Sequence, residues 1–411
     1  MQGWREMKIL FVHQNFPGQF LHVAPALARR GHDVLALTVN TNPRKFEAKS
    51  ARYQYTGKDI KAETFGLAHR FAEASKRGAD AAMTAARLKA SGYEPDIIFS
   101  HIGWGEGLFL KAVWPRAKKI VYAEFFYAPY GRDTNFDPEF QKDSLSGSIW
   151  IKARTAAMAV DLSDADYAVA PTRWQASTIP GAHQSRLQVI HDGVRTDLIT
   201  PNDKASFHIP EKNLTLKSGD EVLTFVSRNL EPYRGYHTIM RSLPKILRER
   251  KNAHVVLVGG DGLSYGTAAP GGKSWKETIL DEVKDQIDVN RVHFVGFVDH
   301  ARFVSLLQLS RAHAYLSYPF VLSWSMLEAM SAGALVIGSN TPPVAEVIKH
   351  GENGLLVDFF DVEGWSNAII EALARPEQYA GLRVAARETA IKGYDLNSVC
   401  LPQMISFLES V

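Results

Sequence analysis

Short apolar runs separated by helix-length segments recur along the chain. Residues 8 to 13, Lys-Ile-Leu-Phe-Val-His, form one such run; an irregular loop follows, and residues 21 to 30 keep a helical apolar period that Gly31 closes. Further runs lie at 33–38, 96–100, 119–123 and 167–170. Strands alternating with helices in this way predict βαβ units in a parallel sheet. Residues 65 to 92 read as one helix, with Leu67, Phe71, Ala74, Gly78, Ala81, Ala85 and Leu88 on a single face.

Residues 201 to 219 turn polar, rich in Lys, Asn, Ser and Pro, which marks an interdomain linker. A second alternation follows, with runs at 221–226, 253–258, 292–295, 312–316 and 334–337. Two Rossmann-like α/β domains are predicted, 1–205 and 206–390, facing each other across a cleft where ligands sit beyond the carboxyl ends of the strands. The length of 411 residues agrees, since it exceeds what one hydrophobic core usually holds.

Composition narrows the picture further. The single cysteine, Cys400, excludes a disulfide framework or a multi-cysteine metal cluster and fits a reducing cytoplasm. No apolar stretch approaches the ~20 residues of a membrane span, and no signal-peptide core opens the chain. Residues 1 to 6 read as a tail without structural role. The net charge of +3 hides an asymmetry: residues 1–200 carry 26 Lys/Arg against 20 Asp/Glu, the remainder 21 against 24. The clusters Lys111, Arg116, Lys118, Lys119 and Arg70, Lys76, Arg77, Arg87, Lys89 are either solvated helix faces or contacts for an anionic membrane or phosphate-bearing acceptor. No aromatic-plus-basic motif accompanies them, so nucleic acid is not an expected partner.

The densest candidate chemistry lies at residues 319 to 340. An irregular run through Phe320, Val321, Leu322, Ser323 and Ser325 leads into a helix start whose N–H groups suit a diphosphate, with Glu328 expected at or near that start. After the run at 221–226, Arg228 and Arg234 place two cations around a turn, and guanidinium groups bind phosphate oxygens in pairs. Gly259 and Gly260 allow a tight turn after another strand. In the first half, Gly18 occupies the first strand-to-helix loop, His101 follows the strand at 96–100, and Glu124 ends the strand at 119–123. Each of the last two is either a functional group or a buried structural one.

These motifs, in this order, resemble the family-4 retaining glycosyltransferases across essentially the whole chain. The family's Glu-x7-Glu pattern puts Glu328 at the second Glu and Phe320, a departure, at the first. The resemblance implies a GT-B fold whose last segment, 391–411, returns as a helix to the first domain. It implies a metal-independent, cytoplasmic enzyme without cofactor, at work in polysaccharide or glycoconjugate synthesis. Such an enzyme moves a hexose-type sugar from a nucleotide diphosphate sugar to a hydroxyl acceptor, lipid-linked or soluble. Peripheral contact of the basic first half with the inner membrane face is consistent with it. Arg228, Arg234, Gly18, Leu322 and Ser323 would hold the diphosphate. Glu328, Gly296, Phe297, Val298 and Gly260 would hold the nucleoside, with Glu328 on the ribose hydroxyls. Phe320, Val321 and Ser323 would face the transferred sugar, and Glu124 and His101 the reacting groups. The triplet Asp164-Ala-Asp166 precedes a strand and is poorly placed to hold a metal beside the donor. Two other classes stay open: a nucleotide-sugar epimerase or sugar phosphorylase of the same fold, and a sugar-nucleotide-binding protein with altered catalysis at Phe320.

Overall fold

The computed structural model describes residues 5–141 and 143–411. Residues 1 to 4 of the tail set aside above lie outside the described residues. The chain forms two compact units, one of residues 1–192 with 400–411 and one of residues 193–399.

The first unit holds a seven-stranded sheet of β1 (Lys8–Val12), β2 (Asp33–Val39), β3 (Lys49–Tyr53), β4 (Ile97–His101), β5 (Lys118–Tyr122), β6 (Tyr167–Ala170) and β7 (Leu187–Val189), in the order β3-β2-β1-β4-β5-β6-β7. Every pairing is parallel. Ile9 and Phe11 join one buried cluster while Leu10 and Val12 join another, so both faces of the central strand are covered. Met404 and Leu408 of the closing helix Leu401–Ser410 complete the first cluster, and Arg30 and His32 bind Glu409 of that helix. The return to this unit thus begins at Cys400.

The second unit has β8 (Ser206–Ile209), β9 (Leu214–Lys217), β10 (Val222–Asn229), β11 (His254–Gly260), β12 (Val292–Gly296), β13 (Ala312–Tyr315), β14 (Val336–Ser339) and β15 (Leu355–Val357). Six of them form a parallel sheet in the order β12-β11-β10-β13-β14-β15, and β8 and β9 form an antiparallel hairpin.

The expected linker at 201–219 is therefore no linker. Phe207, Ile209 and Leu216 of the hairpin pack against Val222, Val256 and Leu306, and a two-residue period over four residues is too short to stand out among polar neighbours. The first unit's own chain ends earlier, at Asp192, because Val194 bridges Asp395 within the second unit. The edge strands β3 and β7 also escaped the pattern, being short and mostly exposed.

The helix expected over 65–92 is divided into Ala62–Phe65, a 3-10 turn Gly66–Ala68, and His69–Ala90. Gly66, at φ +50°, makes the break. Its consequence is that Leu67 and Phe71 stay exposed while Gly78, Ala81 and Ala85 are buried. The cluster around Lys119 is not one solvated face either, since Lys119 is fully buried on Asp161 at 2.7 Å and also binds Asp164. Asp166 accepts from the Lys111 ammonium at 3.0 Å and the Lys119 amide at 2.8 Å. Both acids of the Asp164-Ala-Asp166 triplet are thus engaged by lysines. Among the described residues no helix is long and apolar enough to cross a membrane.

On β13, His313 is buried with Nδ1 2.8 Å from Thr224 Oγ1, and burial lowers its pKa to about 4. The unfolded chain takes up a proton near pH 6.5 that the folded chain refuses, so stability is lost as pH falls below 6.5. We expect His313→Asn, which preserves an acceptor near Nδ1, to reduce the loss of stability between pH 7.5 and 5 by about 2 kcal/mol in urea titrations. An unchanged pH dependence would refute this role.

Candidate functional site

In each parallel sheet the chain reverses its direction of strand addition at the centre, between β1 and β4 in the first unit and between β10 and β13 in the second. The loops leaving the carboxyl ends of these neighbours diverge and leave a crevice there.

In the second unit, Arg228 lies at the end of β10, exposed and without a hydrogen bond or ion pair among the described residues. The chain then makes the 3-10 turn Pro232–Arg234 and enters the helix Tyr236–Glu249 through Gly235 at φ +74°. A Cβ at Gly235 would stand 2.4 Å from Leu316 Cβ, so only glycine lets this turn approach the loop after β13. Arg234 is buried, and its Nη1 donates to Ser317 Oγ at 2.7 Å and to the Val321 carbonyl at 3.1 Å. Its guanidinium stands 5.3 Å from the Tyr265 ring centre and 5.7 Å from that of Phe320. Among the described residues no carboxylate lies within ion-pair distance of it.

The rings around Arg234 form one cluster. Phe320 is buried, edge-on to Tyr233 at 5.2 Å and tilted against Tyr265 at 5.1 Å. The loop carrying Tyr265 is fixed by Glu231, whose buried carboxylate accepts from the amides of Ser264, Tyr265 and Gly266 at 3.2–3.3 Å. Burial raises the Glu231 pKa, while those amides and Arg234 oppose the shift. Beyond Phe320, Leu322 joins the apolar core, the Ser323 amide donates to Tyr315 Oη at 2.8 Å, and Ser323 caps the helix Trp324–Ser331.

Glu328 is the fifth residue of that helix, one turn inside it and not at the start. The N–H groups that open the helix belong to the residues after Ser323. Glu328 Oε1 lies 2.9 Å from His300 Nε2, and this hydrogen bond raises the pKa of His300. A cavity of about 310 Å³ is lined by Arg228, Phe297, Val298, Phe303, Ser323 and Ser325, among others. Gly260 supports it from below: a Cβ there would come within 2.7 Å of the Phe297 ring and of Asn229 Oδ1. Gly296, at φ +63°, turns β12 into Phe297, whose ring is 72% exposed.

Of the residues singled out in this half, Arg228, Phe297, Val298 and Ser323 thus meet at one cavity, with Gly260 and Gly296 shaping it. Arg234, Phe320 and Val321 form an adjoining buried group. Glu231, Tyr233, Tyr265 and His300 escaped sequence reasoning; only their closeness in sequence to Arg234, Gly260 and Phe297 pointed toward them.

In the first unit, His101 is the last residue of β4 and Glu124 stands two residues past β5. Their side chains meet, His101 Nε2 lying 3.5 Å from Glu124 Oε2. The Gly103 amide donates to His101 Nδ1 at 3.0 Å, so the neutral ring carries its proton on Nε2, toward Glu124. Gln19 Nε2 donates to Glu124 Oε1 at 2.9 Å, and Gln175 Nε2 to the Glu124 carbonyl at 2.7 Å. His13, just past β1, meets His101 edge-on at 5.1 Å. Burial first, then His101 and Arg44, lower the His13 pKa to about 2, which leaves this ring neutral. Gly18 lies over it at φ +50°, where a Cβ would be 2.8 Å from His13 Nε2. Sequence reasoning missed His13 and Gln19, which join the site only because β1 lies between β2 and β4.

A larger cavity of about 810 Å³ lies elsewhere in this unit, against the helix Val23–Arg29 and the start of β3. Its lining is largely apolar, with Phe16, Leu21, Pro25 and Phe46, and it contains none of the singled-out residues.

Comparison with known proteins agrees with this arrangement. The model described as "Glycosyl transferase family 4 group" matches residues 30–199, and that described as "Glycosyl transferases group 1" matches residues 209–389. The two halves of the chain are thus each similar to a glycosyltransferase family model. D-inositol 3-phosphate glycosyltransferase of Gordonia bronchialis is 25% identical over 236 residues, covering 55% of this chain and 48% of that protein. The protein of the same name from Mycobacterium sp. (strain KMS) is 28% identical, covering 56% and 49%. The match thus spans about half the length of these curated relatives. Sucrose-phosphate synthase from Thermosynechococcus elongatus superposes with a TM-score of 0.73 at 18% identity, over 98% of this chain and 99% of that one. Anabaena HepE in complex with UDP-glucose gives 0.65 at 17%, over 99% and 100%. At such identities these likenesses show the fold, which is GT-B.

The contact between Gly18 and His13 is directly testable. Gly18→Ala places a side chain in a left-handed conformation against a buried ring, and we expect it to destabilise the protein by about 1–3 kcal/mol in urea denaturation. A variant as stable as the parent would show that this packing is not required.

Proposed function

We propose that this chain is a retaining glycosyltransferase that moves a hexose-type sugar from a nucleotide diphosphate sugar to a hydroxyl acceptor. The observation that carries the reading is the cavity at the reversal of the second sheet, where a free cation, a strongly exposed aromatic ring and the opening of a helix converge. These are the parts a nucleoside diphosphate needs: Arg228 and the helix N–H groups for phosphate, Phe297 and Val298 for the base. Glu328 would accept from the ribose hydroxyls, displacing His300. Arg234 is a buried cation with no carboxylate within ion-pair distance among the described residues, Glu231 acting on it only from farther off, and a diphosphate nearby would add countercharge.

In the first unit, Glu124 and His101 supply the acceptor side. The acceptor oxygen would bond to the anomeric carbon as the bond to the diphosphate oxygen breaks, on the same face, with the hydroxyl proton passing to the departing phosphate. His101 Nε2, 3.5 Å from the Glu124 carboxylate, would orient it once the acceptor is bound. No metal is needed in this scheme, since Arg228, Arg234 and the helix N-terminus balance the leaving charge, and the lysine-bound Asp164 and Asp166 are committed elsewhere. Phe320 is buried against Tyr233 and Tyr265, so the sugar would meet the backbone of residues 321 to 323 and the Ser323 and Ser325 hydroxyls. The reading extends to cell-surface polysaccharide or glycoconjugate synthesis, with the protein in the cytoplasm or at the inner membrane face, as the sequence resemblance implies.

Thermal unfolding against UDP, GDP and ADP sugars tests the donor site. UDP-glucose, the ligand of the HepE complex, is the first to try. A ligand at about 100 times its dissociation constant should add about 2.7 kcal/mol of stability. Arg228→Ala should weaken the best donor at least about tenfold, near 1.4 kcal/mol, and Glu328→Ala should weaken it too. No shift with any donor would refute the reading. Product from the best donor should retain the donor's anomeric configuration by NMR; inversion, or an epimer or sugar phosphate formed without a hydroxyl acceptor, would replace it with another reaction.

A further inference from the structure

Beside the Glu124–His101 pair, the loop after β4 carries Trp104, which has no part in the scheme above. Large aromatic side chains are mostly buried, yet this indole is 39% exposed. It stacks on His101 at 28° between planes and 6.1 Å between ring centres, and meets His13 at 6.5 Å. Both histidines are buried, so the indole rests on a firm base.

The loop that presents it is closely packed against its neighbours. Gly105, at φ +98°, sits so close to the helix His69–Ala90 that a Cβ would stand 2.5 Å from the Ala74 carbonyl oxygen. Gly103 would place a Cβ 3.0 Å from the His101 ring, and its amide is spent on His101 Nδ1. Glu106 behind them is buried and accepts from Tyr53 Oη at 2.8 Å. The backbone on both sides of Trp104 is thus packed in place and its indole lies against His101 and His13, so little loop ordering is needed when a ligand covers it.

An exposed indole stacked on a histidine that in turn meets a half-buried carboxylate held by an amide matches one ligand chemistry well. A pyranose ring has an apolar face of C–H groups and an equatorial rim of hydroxyls. The first packs on an aromatic plane, and the second donates to planar acceptors such as Glu124 and binds amides such as Gln19. We propose that Trp104 is the platform of a pyranoside subsite, so that the acceptor is an uncharged sugar ring stacked on the indole with a hydroxyl at Glu124. Glu124 adds a negative charge to this place, which disfavours a phosphorylated acceptor. The proposal rests on the acceptor assignment of Glu124 and His101 but not on the donor site.

Saturation-transfer NMR on the full chain reads it directly, with methyl α- and β-pyranosides of glucose, galactose and mannose as probes and myo-inositol 1-phosphate as the charged alternative. We expect transfer to the ring C–H protons of at least one pyranoside. The signal should drop at least about fivefold in Trp104→Ala and Trp104→Leu and be largely kept in Trp104→Phe, which preserves an aromatic face. Thermal shifts with nucleotide sugars should be equal in all four proteins, which also shows that the variants fold. No transfer to any pyranoside, an undiminished signal in Trp104→Leu, or preferential transfer to the inositol phosphate would each overturn the proposal. Absent nucleotide-sugar shifts in the parent, together with pyranoside transfer lost in Trp104→Leu, would sink the donor reading and leave this one standing.

Discussion

The position of β1 and β10 between two parallel neighbours is the constraint on which both candidate sites depend. A parallel strand cannot be reached by a tight turn, so each connection crosses the sheet through a helix and re-enters at the same end. When successive crossovers fill first one flank of the opening strand and then the other, adjacent loops leave in opposite directions. His13 and His101 become neighbours for that reason although 88 positions separate them, and so do Arg228 and the loop at 316–323. Buried strand faces maintain this order: Leu10 and Val12 on one side and Ile9 and Phe11 on the other are covered by apolar clusters, which keeps this strand in the interior of the sheet.

Within the second unit, the course of the chain through Phe320 is tied to Arg234. The ring does not open onto the cavity. It closes a buried aromatic group around a guanidinium that also holds the Val321 carbonyl and Ser317 Oγ. Arg suits this place better than Lys because a planar, weakly hydrated cation both forks its hydrogen bonds and lies against rings. Cation and ring thus belong to one packing solution, and the loop that leads to Ser323 takes its course from it.

Much of the fold could be read from patterning because buried parallel strands have little choice of residue. The runs at 8–13, 96–100, 253–258 and 312–316 became strands within a residue or two. The edge strands β3 and β7 and the hairpin β8–β9 could not, since each buries few side chains and so leaves little apolar signal. Glu328 shows the same limit at a boundary: the helix starts at Trp324 because Ser323 caps it, and nothing in the apolar period distinguishes that start from one a turn later.

The chemistry divides along a similar line. Residue types at strand ends, such as Arg228, Glu124 and His101, are visible in one dimension, because a strand end followed by a loop is a local property. Partnership is not local. That Lys119 is buried on Asp161, that Gln19 reaches Glu124 and that Gly260 packs close to Phe297 all depend on strand order and crossover, which bring together residues separated by up to 105 positions. Local free energies, those of apolar periodicity, caps and turns, act over a few residues and leave their mark in the chain itself; which side chains share a site follows from packing two sheets' worth of crossovers, and that minimum exists only once the chain is folded.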